Sequence, residues 1–568
     1  MNNDLQTLIR TGRGTVPADL VLKNITMLCV TTGEWITGDL AVADGIIIGA
    51  GEERYHGRRE EDCTGLFAVP GFINTHVHVE SCHALPAAYE KAVLPRGTTT
   101  AVCDPHELAN VCGKAAIRYF LDCASCLRMD LQIQLSSCVP ATTLETAGGE
   151  LSAADLLEFA GHSCAGDLAE VMNFPGLLSE DPGVLAKVKA FQGQVIDGHA
   201  PLLSGKDLNA YIACGIANDH ECSFPPEAME KLRKGMNILI RSGSAAKNLP
   251  DLEPILTWKN VDSLALCVDD RNVLDIRSSG DIDALIRELI AGGAEPELAY
   301  RAASYSAAKM FRMHDRGMLA PGKIADVVIL DDIRTCKVRR VLKRGIFADE
   351  LPDLADMPDT AFARNSIRRK KVTLQDLQIP SRKTMTPVIR IIRDSLITDR
   401  VDAELSLNEK GFKEPDTTRD ILKLFVLERH GRNGNIGRGF VQGFGLQRGA
   451  IASSVGHDSH NLCVTGRNDE DIMLAVNTLI GCGGGYAAAA DGKILAKVEF
   501  PIGGLMSEKN FPELAAELKN LYAVLPQLGC KVADPFLQLA FLPLPVIPHL
   551  KLTDKGLVDV AKFDFIEV

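Results

Sequence analysis

Pro70-Gly71-Phe72-Ile73-Asn74-Thr75-His76-Val77-His78 is an apolar run that ends in two histidines one residue apart. Alternate side chains of a strand share a face, so His76 and His78 point the same way and can chelate one metal ion. By itself the pair is equally compatible with a strand carrying two incidental histidines. Further along, however, His199 follows Val195-Ile196-Asp197-Gly198, His220 follows Ala217-Asn218-Asp219, and Asp269-Asp270 follows Leu264-Ala265-Leu266-Cys267. Between them lies Glu170, in Asp167-Leu168-Ala169-Glu170-Val171-Met172. Four histidines, a Glu and an Asp could hold two divalent ions with a bridging oxygen. The chain has 13 His in all, and this concentration after strand-like runs is not expected by chance.

Outward from this run, residues 70–311 alternate apolar strand-like stretches with amphipathic helical ones; among the former are Thr99-Thr100-Ala101-Val102-Cys103, Leu131-Gln132-Ile133-Gln134-Leu135 and Asn237-Ile238-Leu239-Ile240. A repeated β-then-α rhythm of this length predicts an α/β fold, a (β/α)8 TIM-type barrel, with a doubly wound open sheet as the alternative. Polar residues at the C-terminal ends of the strands favour the barrel, because barrel active sites are built there. Short antiparallel strands are expected from Asp19 to Gly51 and again at Ala325–Leu330 and Val338–Phe347. Residues 1–69 and 312–350 would therefore form one small β-sandwich into which the barrel is inserted. Residues 351–387 read as a linker, with Arg368-Arg369-Lys370-Lys371 as a solvated face, and residues 388–568 as a C-terminal α+β domain.

Composition narrows the function classes. The chain has 568 residues, 46% of them apolar, enough for several domains and a large core. Its 61 Lys and Arg against 74 Asp and Glu leave a formal charge of -13, which argues against a nucleic acid polymer as partner. Residues 1–16 lack the apolar stretch of a secretory signal, and no long uncharged apolar run comes later, so a cytoplasmic protein without membrane contact is expected. The 16 Cys are scattered without framework spacing, and no structural disulfide is expected; Cys123 and Cys126 have no second pair to close a zinc site. Gly317 to Lys323 mimics the opening of a phosphate-binding loop, but Ile324 stands where Ser or Thr is needed, and a turn is expected instead. His162, His314, His430 and His549 have no companions and read as surface or satisfied core residues.

The order of these groups resembles that of the amidohydrolase superfamily, and several longer strings resemble its adenine deaminase branch. They are Leu94-Pro95-Arg96-Gly97-Thr98-Thr99-Thr100, Cys103-Asp104-Pro105-His106-Glu107, Asp197-Gly198-His199-Ala200-Pro201, Leu208-Asn209-Ala210-Tyr211, Arg241-Ser242-Gly243-Ser244-Ala245-Ala246, Ser454-Val455-Gly456-His457-Asp458-Ser459-His460-Asn461 and Leu544-Pro545-Val546-Ile547-Pro548. The likeness runs nearly end to end. It implies His76 and His78 as ligands of a first metal, Glu170 as the bridging carboxylate, His199 and His220 as ligands of a second, and Asp269 or Asp270 as the contact to the first metal and the attacking hydroxide. It also implies two divalent ions per subunit (Mn or Fe, with Zn compatible), a purine base as substrate and a homodimer. Asp104 and His106 would belong to the active-site face.

The resemblance departs at Asn74, where the family often has Asp, at Val268 in place of Thr, and at Ser81-Cys82-His83. Glu170 stands where cyclic-amide hydrolases of the superfamily carry a carboxylated Lys, which speaks against that substrate class. The activity implied is adenine plus water to hypoxanthine plus ammonia, as in purine salvage. The alternatives are another aminopurine or a cyclic amide and, more remotely, an inactive barrel serving as an assembly module.

Deamination needs an ion that lowers the pKa of water from about 15.7 toward about 7 and a proton donor for the ring. Asp269 or Asp270 is expected to take the proton from water. Glu170, Glu107 or Glu221 would serve the ring, with Asp104 also catalytic. His106, Glu107, Glu221, Ser242, His457, Asp458 and His460 are candidate substrate or auxiliary positions. The loop from His457 to Asn461 has two readings, a loop that reaches the barrel mouth or an auxiliary metal site on one side, and a hydrogen-bonded turn on the other.

Overall fold

The computed structural model describes residues 5–354, 356–392 and 395–568. Its middle contains eight parallel strands, β1 (Phe72–Val77), β2 (Thr98–Cys103), β3 (Asp130–Leu135), β4 (Ala165–Val171), β5 (Ile196–Gly198), β6 (Asn218–Asp219), β7 (Asn237–Arg241) and β8 (Leu264–Cys267). β1 to β5 pair in chain order, as do β6 to β8. A parallel bridge from Ile196 to Ile216 links the two groups, and another from Val77 to Asp269 brings the end of β8 beside β1. The Asp269 N–H donates to the His76 carbonyl at 3.0 Å. The parallel sheet is thus curled until its last strand meets its first.

The period of two in the strands sorts their side chains. Ile73, Val102, Leu239, Ala265 and Cys267 join one apolar cluster with Ala307, Met310 and Phe311. Their neighbours Phe72, Ala101, Cys103, Ile238, Ile240, Leu264 and Leu266 join a larger cluster with the surrounding helices. Both faces are dry, as a parallel sheet covered on both sides requires.

The flanking segments share one sheet. The strand Ala18–Cys29 pairs antiparallel with Glu34–Ala43, and Phe67–Pro70 lies between it and Val327–Asp332. Phe67–Pro70 runs directly into β1, so this sheet fixes where the His76 strand begins. The segment Gly317 to Lys323 is a turn onto it: the Gly322 N–H donates to the Ile47 carbonyl and the Lys323 ammonium to the His314 carbonyl. Asp130, at the start of β3, accepts from Lys343 (2.8 Å), Arg316 (2.6 Å) and Arg344 (2.7 Å) and ties the two sheets together.

Residues 351–387, expected as a linker, pack on the C-terminal part of the chain. Val372, Leu377 and Ile379 are buried with Phe425 and Phe440. Arg368, Lys370 and Lys371 are exposed, but Arg369 is half-buried and donates to the Glu428 and Asn435 carbonyls. Its partners lie more than fifty residues away, beyond the reach of local charge reading. The C-terminal part is built on an eight-stranded sheet and a helix, Asp469–Cys482. One apolar cluster runs without a break from Leu108 and Val139 in the middle to Ile451, Phe500 and Phe536 in this part. All 16 Cys are free. Among the described residues no helix is long and apolar enough to cross a membrane.

The Asp130 cluster has a measurable consequence. Asp130→Ala should cost about 2 kcal/mol in denaturant unfolding, less than the ~3–5 kcal/mol of a fully buried pair because Lys343 keeps Asp326 as a partner. Burial would raise the Asp130 pKa, but the three cations hold it below its ordinary 3.8. The contribution is therefore complete above that value and is lost only as the pH falls through the depressed one, so wild type and variant should converge in stability in strong acid.

Candidate active site

Glu170 occupies the C-terminal end of β4 and is 1% exposed. Its Oε1 lies 3.8 Å from His76 Nε2 and 3.5 Å from His78 Nε2, and its Oε2 lies 2.8 Å from His199 Nδ1 and 3.4 Å from His220 Nε2. The carboxylate therefore faces His76 and His78 with one oxygen, which also lies 3.3 Å from His106 Nδ1, and His199 and His220 with the other. His76 and His78 approach each other to 3.1 Å through their Nε2 atoms, and Asp269 Oδ1 lies 3.5 and 3.1 Å from them. His78 donates from Nδ1 to the Asp104 carbonyl at 2.9 Å, which leaves its Nε2 lone pair for this centre. Donor separations of 2.8 to 3.8 Å match the edges of a coordination polyhedron with ligands at about 2.0–2.2 Å. The donors are buried and converge, Arg241 beside them pairs with Glu221 and with the far oxygen of Asp269, and the imidazole and carboxylate set fits divalent metal. The groups His76, His78 and Asp269, and His76, Glu170 and His220, each bring their donor atoms within 4.8 Å of one another.

The frame around these groups is also built from buried polar contacts. Tyr211 donates to the Val171 carbonyl (2.8 Å) and accepts from the His199 N–H (3.1 Å), binding the ends of β4 and β5. Lys231, fully buried, donates to Asp219, to Glu227 and to the Ala200 carbonyl, each at 2.8 Å. Asp219 in turn accepts from the Ala200 N–H, so the residues next to His199 and His220 are pinned to each other. Asp269 has φ 55°, a left-handed conformation that non-glycine residues seldom adopt and that aims its carboxylate at His76 and His78.

Electrostatics follow from burial. For Glu170, burial works to raise the pKa, but the His199 hydrogen bond and the surrounding imidazoles hold it well below the usual range. Asp269 is held low in the same way, against burial, by His76, His78 and Arg241. Arg241, at the end of β7, ion-pairs with Glu221 and lies 2.8 Å from Asp269 Oδ2. The neighbouring Asp270 accepts from Ser81 instead and is pushed up by burial and by Asp269.

A cavity of about 400 Å³ opens onto this centre. The donor set with Glu221 and Arg241 lines it, and beside them lie His106, Glu107, His457 and Asp458; donor atoms of His78, His106 and Glu107 come within 4.8 Å of one another. Met172, Leu396, Phe541, Leu544 and Ile547 supply apolar walls, four of them from the C-terminal part. An open vestibule of about 2500 Å³ shares Glu221, Arg241, Leu396 and Ile547 with the cavity and connects it to solvent.

Of the residues anticipated from sequence, His76, His78, Glu170, His199, His220 and Asp269 come together at one point, with Asp270, His106, Glu107, Glu221, His457 and Asp458 on the cavity wall. His460 stands behind Glu107. Asp104 turns to His106 Nδ1 (2.9 Å) and Ser136 (2.5 Å) and supports the wall from outside. Ser242 is not part of the site: it has the opposite parity to Leu239 and Arg241, and its hydroxyl donates to Glu288 at 3.2 Å. Arg241 and the apolar wall had no role in the sequence reading. Arg241 could have been found by the strand-end rule that found the histidines.

Residues 67–359 match the amidohydrolase family, and residues 395–564 match the adenine deaminase C-terminal domain. The adenine deaminase of Brucella melitensis biotype 1 is 50% identical over 99% of this chain and 96% of its own length. That of Cereibacter sphaeroides strain KD131 is 50% identical over 100% of both chains. Among solved structures, N-acetyl-D-glucosamine-6-phosphate deacetylase from Mycobacterium smegmatis superposes with a TM-score of 0.44 at 17% identity, covering 58% of this chain and 99% of its own.

Arg241→Met would leave two buried carboxylates, Glu221 and Asp269, without their shared cation. In chelator-treated protein the variant should lose about 3 kcal/mol of unfolding free energy, and saturating divalent metal should return part of it. Chemical denaturation with and without metal measures both.

Proposed function

This chain belongs to the amidohydrolase family, and within it to the adenine deaminases that it matches from end to end, and from that premise we propose that it hydrolyses adenine to hypoxanthine and ammonia at the Glu170 centre. The observation that carries the site assignment is the two-sided position of Glu170, one oxygen toward His76 and His78 and the other toward His199 and His220.

On this reading the curled parallel sheet is a (β/α)8 barrel. Eight parallel strands in chain order, the bridge from Val77 to Asp269 and a polar centre at the C-terminal strand ends support it. Two divalent ions would be held, one by His76, His78, Asp269 and Glu170 Oε1, the other by His199, His220 and Glu170 Oε2. Manganese or iron suits this set of imidazole and carboxylate donors, as does zinc. When bound, such ions act as Lewis acids and bring the pKa of water from about 15.7 toward about 7.

The chain's own groups do the rest. Water adds its oxygen to C6 of the base, and its two protons leave by separate routes. Asp269 Oδ1 is placed to accept one and return it to the departing amine, while Arg241 holds Oδ2 and fixes the carboxylate plane. Glu107, on the cavity wall beside His106, takes the second proton from the new C6 hydroxyl and passes it to the ring nitrogen beside C6, as the bond from C6 to the amine breaks and the oxygen becomes the carbonyl. Met172, Phe541, Leu544 and Ile547 exclude water from a flat aromatic base, which strengthens every charge interaction at the reacting carbon.

The direct test is ammonia release from adenine by the purified full chain, with and without added Mn, alongside the metal content of the same sample. Metal-dependent consumption of adenine is expected; bound metal without turnover would refute the substrate assignment. Glu170→Gln should lower kcat by about 10²–10⁴-fold or more and reduce bound metal. Asp269→Asn should be as severe, and Asp270→Asn milder, because only Asp269 faces the histidines.

A further inference from the structure

Glu107 lies in the first turn of the helix His106–Cys112, just after β2, and its carboxylate meets two histidines supplied by the distant C-terminal part of the chain. Its Oε1 lies 2.8 Å from His457 Nδ1 and 3.2 Å from His106 Nε2, and its Oε2 contacts His460 Nε2. Glu107, His457 and His460 are 2%, 3% and 1% exposed, so water does not compete for these contacts.

The tautomer of His460 is set locally. The Gly456 N–H points at His460 Nδ1 (3.2 Å), which must accept; in the neutral ring the proton is then on Nε2, facing Glu107 Oε2. In this tautomer Nε2 carries no lone pair for a metal, and its close contact with Glu107 Oε2 is the one the proton can bridge, neither atom having a hydrogen-bond partner elsewhere among the described residues.

The loop that carries both rings is anchored residue by residue. The His457 N–H donates to the Ala540 carbonyl (2.8 Å), and its ring stacks on Phe541 at 4.2 Å between centroids. His430 Nε2 donates to the Ser459 carbonyl (2.7 Å), Arg429 donates to the His460 carbonyl and to that of Gly503 (2.7 Å), and Asn461 donates to the Thr146 carbonyl (2.9 Å). Arg429 is fully buried, and Gly504, at φ 71°, has no room for a Cβ against its guanidinium. His460 itself sits at φ 52°. A turn needed only to connect two strands would not require a left-handed histidine and a buried guanidinium to hold its imidazoles toward another part of the molecule.

We propose that His457 and His460 are positioning residues for deamination: they hold the Glu107 carboxylate in one orientation toward the cavity, so the C-terminal part completes the active site of the parallel sheet. The proposal rests on Glu107 acting on the base, as in the proposed deamination.

A double-mutant cycle in the Mn-loaded full chain tests it. His460→Ala should lower kcat on adenine by about 10²-fold, the effect of a misplacement of ~1 Å, with KM moving far less. His460→Gln, whose amide N–H can replace Nε2–H, should recover most of the loss, as should His457→Asn relative to His457→Ala. In a Glu107→Gln background His460→Ala should add almost nothing, since its partner carboxylate is gone. Multiplicative losses in the double variant would overturn the proposal, as would a His460→Gln variant no better than His460→Ala. So would a third equivalent of metal in the wild type that disappears with His460, which would make the loop a metal site. Wild-type protein inert toward adenine would instead sink the deaminase reading itself.

Discussion

A carboxylate almost without solvent contact, surrounded by the imidazoles of His76, His78, His106, His199 and His220, is the constraint around which the centre of the molecule is organised. Removing Glu170 from water would cost several kcal/mol if nothing compensated its charge. Compensation has to come from donors that reach both of its oxygens at once, and that fixes the ends of β1, β5 and the segment after β6 relative to β4. The curl of the parallel sheet is what lets side chains from strands so far apart in sequence meet over one carboxylate. A flat sheet of the same strands would spread the same side chains across its edge.

The second layer of the site obeys the same rule. Lys231 is buried because Asp219 is buried, and Asp219 is buried because the segments carrying His199 and His220 must be locked together. Arg241 is buried because Glu221 and Asp269 are. Each buried charge brings its own partner, and each partner stiffens one more strand end. The rigidity needed to keep reacting groups within fractions of an ångström thus comes from the polar interior, while the apolar clusters supply the bulk of the fold's stability.

Much of this was legible in the sequence, for identifiable reasons. The spacing of His76 and His78 is read directly from the two-residue period of a strand, His199, His220 and the Asp269-Asp270 pair each follow a strand-like run, and Glu170 lies inside one; which Asp faces the histidines was left open. The shared alternation of residues 19–51 with residues 325–330 and 338–347 suggested that they could pair into one sheet. What escaped is what depends on distant partners. Ser242 is adjacent to Arg241, yet strand parity sends one hydroxyl to Glu288 and the other side chain into the site. Residues 351–387 look polar and unpatterned, and only the fold reveals Val372, Leu377 and Ile379 in a core. The two readings of the loop from His457 to Asn461 turned out to describe one object, a tightly bonded turn that also reaches the cavity.

The cavity roof and the donor set are made at different times. By the point in synthesis at which Asp269 has emerged from the ribosome, every histidine and carboxylate that gathers around Glu170 is present. Phe541, Leu544 and Ile547, which wall the cavity, are added long afterwards. A nascent chain therefore offers its donors to the surrounding ion pool long before it can exclude water from them. A chain ending before Leu396 would therefore keep the whole donor set and lose four of the five apolar walls, leaving the same side chains in open water.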